Sequence, residues 1–274
     1  MDRETLRKVQ LTQLEIAKEI KRVCDENNIV YFLEGGTLLG AVRHQGFIPW
    51  DDDLDISMTR ENYEKFIRIA PDKINNKYRI QTWDSSDYVP LPFAKVMKKG
   101  TVFLETYANP KANNEIWVDV FPRDHYPDDK GKQKQMRRNI QWLRHILTMK
   151  SGVKPWKRSE NTREKLMTII KYSPFLVLSP FFSRKWLKQK WYQEITRYNH
   201  SDTKQLSLAS MFSIDKYVVP SKTIEEFCLL TFEDTTFNCP KDYDSYLRTI
   251  YNDYMQLPPV EERENKHSII KVKL

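Results

Sequence analysis

Gly35-Gly36-Thr37-Leu38-Leu39-Gly40-Ala41-Val42-Arg43-His44, followed by Pro49-Trp50-Asp51-Asp52-Asp53-Leu54-Asp55-Ile56, are the stretches from which the fold is read. The chain holds 7 glycines, and Gly35, Gly36, Gly40 and Gly46 fall within residues 35–46. A chain that avoids glycine elsewhere and clusters it here asks for tight turns or a close approach of backbone to a ligand. Asp53–Met58 reads as a strand. Its period of two puts Asp51, Asp53 and Asp55 toward one face and Leu54 and Ile56 toward the other. Carboxylates gathered in one site repel by about 1 kcal/mol per pair at 4 Å in water, and several-fold more where water is scarce. A hard divalent cation with oxygen ligands, Mg²⁺ or Mn²⁺, offsets that repulsion. The plainer alternative is an acidic surface loop.

Outward from this stretch, residues 3–26 carry apolar side chains at helical spacing, with Asn27-Asn28 ending the run. Ile29–Leu33 reads as a buried strand, and a short helix follows the glycine pair through LLGAVRH. Thr59 is placed to cap a helix over Arg60–Ala70, which Pro71 closes. Further strands are expected at Tyr78–Trp83, Phe93–Lys98, Thr101–Glu105 and Glu115–Phe121. Gly131–Lys150 sets Met136, Ile140, Leu143 and Leu147 on one helical face. Ser183 caps another helix with Leu187, Trp191, Ile195 and Tyr198 on its apolar side. A strand-like Leu206–Phe212 and a helix after Pro240 complete the reading. The fold class is α/β (α+β): a mixed-sheet catalytic core over 1–125, a helical insertion over 126–200, and a C-terminal segment over 201–274 that packs back. Asp119 lies among apolar residues in Glu115–Phe121, where Asp is depleted and rarely buried without a partner. Either an arginine or backbone amides satisfy it, or it joins Asp53 and Asp55 from a neighbouring strand.

Composition narrows the classes. The 274 residues carry 45 Lys+Arg and 37 Asp+Glu, a net charge of +8. Basic clusters at Lys130–Arg138, Lys150–Arg158 and Arg184–Lys190 raise nucleic acid as a partner. They fall on helix faces and loops with no groove-reading motif, so no nucleic acid is expected. Three cysteines, Cys24, Cys228 and Cys239, form no CxxC pair and fit a reducing compartment better than a disulfide framework. The first twenty residues have no apolar core of the secretory kind. The longest apolar stretch, Tyr172–Phe182, contains two prolines and is short of the roughly 20 residues that span a bilayer. Followed by Arg184, Lys185, Lys188 and Lys190, it suits instead a peripheral contact with an anionic membrane surface. The expected location is cytoplasmic, at most peripheral at the inner face of the plasma membrane.

A glycine turn, a short helix, an Asp-hydrophobic-Asp strand and a lone strand Asp resemble the layout of the nucleotidyltransferase superfamily. More specifically, Gly35–His44 with Gly46–Asp55 resembles the signature of the LicD family. Asp119-Val120-Phe121-Pro122 is similar to its intervening strand. Tyr251-Asn252-Asp253-Tyr254-Met255-Gln256-Leu257-Pro258-Pro259, with Arg263 and His267, is similar to its C-terminal motif. Two departures stand out: Asn252, where many members have Gly, and Arg123, where Leu is common.

The resemblance implies a transferase that takes a phospho-alcohol, most often phosphocholine from CDP-choline, to a hydroxyl of a bacterial glycan such as teichoic acid or lipopolysaccharide, releasing CMP. Some relatives transfer ribitol phosphate, one of them with a cysteine zinc site; this chain has no matching cysteine cluster. Glycerol phosphate transfer, and nucleotidyl transfer with pyrophosphate release, are the alternatives. Asp53 and Asp55 would hold the metal, with Asp51 or Asp119 completing the site, and Asp119 would orient or deprotonate the acceptor hydroxyl. Amides after Gly35-Gly36-Thr37 would cradle an anion, and Arg43 would grip phosphate oxygens. His44, Lys95, Arg263 and His267 are the remaining candidate substrate contacts. For Arg43, His44 and Lys95, an ordinary structural or surface role is the competing reading.

Overall fold

The computed structural model describes the chain apart from residues 107, 158–160, 209–213 and 265–267 and the side chain of residue 215. Helix α1 (Arg3–Glu26) is capped by Asp2, whose Oδ1 accepts from the Thr5 amide at 2.8 Å. Its inner face is apolar except for Gln10 and Gln13, both buried. The chain continues through β1 (Phe32–Leu33), α2 (Gly35–His44), β2 (Asp55–Thr59), α3 (Arg60–Lys73), β3 (Tyr78–Gln81), β4 (Ala94–Lys98), β5 (Val102–Glu105) and β6 (Trp117–Tyr126). Helices α4 (Lys130–Lys150), α5 (Thr162–Leu178) and α6 (Arg184–Ile195) follow. Then come β7 (Gln205–Ser207), β8 (Val219–Pro220), the hairpin β9 (Phe227–Phe232) and β10 (Thr235–Pro240), α7 (Tyr243–Tyr251) and β11 (Ile269–Lys273).

The main sheet runs β1-β2-β6-β4-β3. It is mixed: β2 and β6 are parallel, whereas β1–β2, β6–β4 and β4–β3 are antiparallel. The parallel pair sets Asp55 opposite Asp119, and β4 sets Lys95 against Asp119 from the other side. α1, α3, the β9–β10 hairpin and α7 contribute to the main apolar core. A second core joins Met136, Ile140, Leu143 and Leu147 of α4 to Leu187, Trp191 and Ile195 of α6, the faces their spacing predicts. Ser183 caps α6 by accepting from the Trp186 amide at 3.1 Å.

Several elements differ from expectation. Strand Ile29–Leu33 contracts to Phe32–Leu33, and Asp53–Met58 starts only at Asp55. Pro71 sits inside the last turn of α3 instead of closing it; there its missing N–H deprives a single carbonyl. Thr59 holds the N-cap position, but its hydroxyl accepts from the Asn62 side chain and makes no capping bond. α5 was not foreseen: it buries only Tyr172, so it lacks the apolar stripe that signals a helix against a core. The β9–β10 hairpin and β11, which pairs with β5, also escaped the reading. The expected Leu206–Phe212 strand is seen as Gln205–Ser207, and its residues 209–212 lie outside the described ones.

Candidate active site

The Asp51–Asp55 segment is fixed mainly through its backbone. Gln10 and Gln13 of α1 donate to the carbonyls of Asp51 and Asp52 at 2.8 and 2.9 Å. The Asp55 amide donates to Thr37 Oγ1 at 2.9 Å, tying the start of β2 to the first turn of α2. Residues 51–54 are not strand, so the period-two alternation does not extend through them. Asp52, for which no role was expected, joins its neighbours. One carboxylate oxygen from each of Asp51, Asp52 and Asp53 lies within 4.8 Å of the others, with Asp51 and Asp52 buried.

Asp55 and Asp119 extend this charge across the sheet. Burial pushes the Asp55 carboxyl well above the usual carboxylate range, and the charges of Asp53, Asp119, Asp51 and Glu34 push it further. Asp119 pairs with Lys95 Nζ at 2.9 Å, and its Oδ2 accepts from Trp117 Nε1 at 3.3 Å. The Lys95 ammonium also lies 3.8 Å from the centre of a Trp117 ring. Lys95 is therefore bound into the site's own electrostatics. Such a set of closely spaced hard oxygen donors suits Mg²⁺ or Mn²⁺.

The glycine turn behaves differently from a bare anion cradle. Gly35 has φ +50°, and Gly36 lies so close to Asp51 that a Cβ there would stand 2.9 Å from its Oδ2. The Gly35 amide donates to the Glu34 carboxylate at 2.9 Å, and the Thr37 amide to the Glu34 carbonyl at 3.0 Å. Glu34 thus already supplies a negative charge at this helix N-terminus, where the dipole favours one. That carboxylate is buried and accepts from Ser57 Oγ at 2.5 Å, from the Tyr246 hydroxyl, and from Arg123 at 2.7 Å. Arg123 also donates to the Tyr217 carbonyl at 2.8 Å and to the Tyr246 hydroxyl.

A second cluster gathers basic side chains around Trp50, the residue before the Asp51–Asp55 segment. Arg43, near the end of α2, donates to the Tyr254 carbonyl at 2.8 Å and through Nε to His44 Nε2 at 3.0 Å. Arg263 donates to the Pro258 carbonyl at 2.9 Å and stacks over Trp50 at 5.5 Å, and His44 meets the same indole edge-on at 6.3 Å. Burial and the Arg263 charge lower the Arg43 pKa; burial and Arg43 lower that of His44. Tyr217 and Tyr251 line the space between. Burial raises both phenols, and Asp55 and Glu34 are among the charges acting on each. The candidates Asp51, Asp53, Asp55, Asp119, Gly35, Gly36, Thr37 and Lys95 are thus brought together, with Arg43, His44 and Arg263 on one flank. His267 lies outside the described residues. Glu34, Asp52, Gln10, Gln13 and Tyr217 were not anticipated. The signals available were an acid directly before the Gly-Gly pair and two amides on an otherwise apolar helix face.

Carboxylates from adjacent strands beside a helix N-terminus are an arrangement that suits phosphoryl transfer. Residues 28–149 match the family model described as the LicD/FKTN/FKRP nucleotidyltransferase domain, and this match, with the similarity to a cholinephosphotransferase over nearly the whole chain, makes the protein a phosphotransferase enzyme. Over 270 residues, 97% of each protein, it is 29% identical to the lipopolysaccharide cholinephosphotransferase LicD of Haemophilus influenzae. An uncharacterised protein of Rickettsia prowazekii is 34% identical over 122 residues, 44% of this chain and 42% of that protein. The human ribitol 5-phosphate transferase FKRP is 44% identical over 48 residues, 18% of this chain and 10% of that protein.

Proposed function

We propose that this protein transfers phosphocholine from CDP-choline to a hydroxyl of a cell-surface glycan, releasing CMP. The observation that carries the reading is the convergence of Asp51, Asp52, Asp53, Asp55 and Asp119 beside the first turn of α2. Similarity to the Haemophilus enzyme across nearly the whole chain supports the choline donor and a lipopolysaccharide-type acceptor. A teichoic acid precursor offers the same hydroxyl chemistry. Ribitol phosphate as the transferred group is the second reading, favoured by the short match to the ribitol 5-phosphate transferase.

The residues divide the work. Asp51, Asp52, Asp53 and Asp55 are the groups that would hold Mg²⁺ or Mn²⁺. When bound, such an ion supplies charge neutralisation at the donor pyrophosphate and the departing CMP. Arg43 and Arg263 bring positive charge toward the phosphate oxygens from one flank. Asp119, held by Lys95 and Trp117, orients or deprotonates the acceptor hydroxyl as it attacks the phosphorus bearing the alcohol. The Trp50 indole and the Tyr217 and Tyr251 rings give a cationic choline aromatic surface in the same space. The test is product analysis with Mg²⁺, CDP-choline and a glycan acceptor. CMP should appear in proportion to transferred phosphocholine. Release of inorganic pyrophosphate from a nucleoside triphosphate would replace this reading with nucleotidyl transfer.

A further inference from the structure

α5 is apolar on its outside. Leu166, Ile170 and Val177 fall on one line of the helix, 56%, 56% and 69% exposed, with Ile169 and Leu176 beside them. Phe181, in the turn that follows, is 79% exposed. The helix touches the rest of the fold through Tyr172 and Phe175, which pack on His145 of α4. The segment flagged by its sequence, 172–190, is therefore only part of this surface: Tyr172 itself is buried, Phe182 stacks on Trp186, and the apolar face begins a turn and a half earlier. A contiguous exposed face of this kind on a charged protein marks an interaction surface.

Charge selects the occupant. Between residues 162 and 190 the chain carries seven Lys and Arg against one acid, Glu164. A second copy docked through the same face would set these cations against one another. An anionic lipid surface would complement them. Arg184, Lys185 and Lys188 also wall a groove of about 960 Å³ between α3 and α6, where Asp87 pairs with Arg184 at 3.4 Å and Asp84 with Lys188 at 3.6 Å. Lys150, on the same groove, donates to the Ser179 carbonyl at 2.8 Å in the turn that carries Phe181. Apolar face and groove thus share one rim. The groove also contains Arg60, just past the end of β2, whereas the carboxylates lie at that strand's start. Among the described residues no single helix is long and apolar enough to cross a membrane.

We propose that the α5 face and the Phe181 turn sink into the interfacial layer of an anionic membrane, with Lys171 and Lys185 drawn to lipid phosphates. Apolar side chains at headgroup depth and cations drawn to anionic lipid together make a reversible anchor. The inference is independent of the phosphotransfer reading, because its test needs neither donor nor acceptor.

Full-length protein is sedimented with vesicles of phosphatidylcholine alone or with added phosphatidylglycerol. Binding should require phosphatidylglycerol and weaken as salt shortens the screening length to about 10 Å at 0.1 M. Ile170→Ser/Val177→Ser/Phe181→Ser should lower binding about tenfold or more, with an unchanged melting curve because the side chains are exposed. Lys171→Glu/Lys185→Glu should abolish the preference for phosphatidylglycerol. Failure of the wild type to sediment with anionic vesicles at low salt overturns the proposal. So does a wild-type dimer that the Ser variant converts to monomer without any vesicle binding, or retention on vesicles through a high-salt wash.

Discussion

The guanidinium of Arg123 meets the carboxylate of Glu34 at 2.7 Å, with the two side chains 0% and 1% exposed. The pair joins β6 to the N-cap of α2, and the Tyr246 hydroxyl bonds both partners from α7. Three elements that frame the carboxylates are thereby locked at one point. Burial opposes the charge on Arg123, yet the charges and hydrogen bonds of Glu34 and Tyr246 together outweigh it and raise the arginine above its ordinary value.

Replacing one partner leaves the other charged and buried. Arg123→Leu should therefore destabilise the fold by about 3–5 kcal/mol, measured by urea unfolding. Glu34→Gln combined with Arg123→Leu should lose less than the sum of the single variants, because no isolated charge remains. A single Arg123→Leu variant as stable as the wild type would show that the pair does not hold these elements.

Asp53→Asn and Asp55→Asn keep side-chain volume while removing charge from the crowded carboxylates. Melting temperature without metal should hold or rise as repulsion is relieved. Turnover should fall by roughly 10³-fold or more, since phosphoryl transfer depends on charge stabilisation. Normal turnover in both variants, or full activity in excess chelator, would remove these residues from the chemistry.

His145 gives a pH signature in a different part of the molecule. Burial among Tyr172 and Phe175, followed by the charges of Arg144 and Lys171, lowers its pKa to about 4 from 6.5. The unfolded chain binds the proton more tightly, so stability is lost as pH falls from about 6.5 toward 4. The full difference is on the order of 3 kcal/mol. Unfolding series at pH 7, 5.5 and 4.5 should show the wild type losing stability relative to His145→Gln across that window. Parallel pH dependence in the two proteins would contradict it.

The sequence made the glycine turn, the Asp-rich segment and the lone Asp119 legible because each violates what its local setting prefers. Asp119 in an apolar strand demanded a partner, and the partner was Lys95, one strand over. Asp52 was missed because alternation was extended back to Asp51, through residues 51–54, where the backbone is a loop fixed by Gln10 and Gln13. Glu34 and Tyr246 were out of reach: 212 residues separate them, and no local pattern encodes their meeting. At Asn252, where glycine was the expected residue, the backbone keeps φ +56°, so the departure changes the side chain and leaves the turn in place. Arg123, the other departure, proved to be the centre of a buried ion pair. α5 stayed hidden because only Tyr172 of it is buried, so its apolar residues trace no inward-facing stripe.

The bond from Arg43 to the Tyr254 carbonyl spans 211 residues, and that from Tyr246 to Glu34 spans 212. Both ends of α2 are thus secured by chain more than 200 residues downstream. On the ribosome, Asp51 through Asp55 emerge long before the residues that complete their surroundings. Until α7 and the segment after it are released, Glu34 has no Tyr246 and Arg43 no carbonyl to grip. A nascent chain stalled after the helices would therefore present the acidic loop in an unfinished frame.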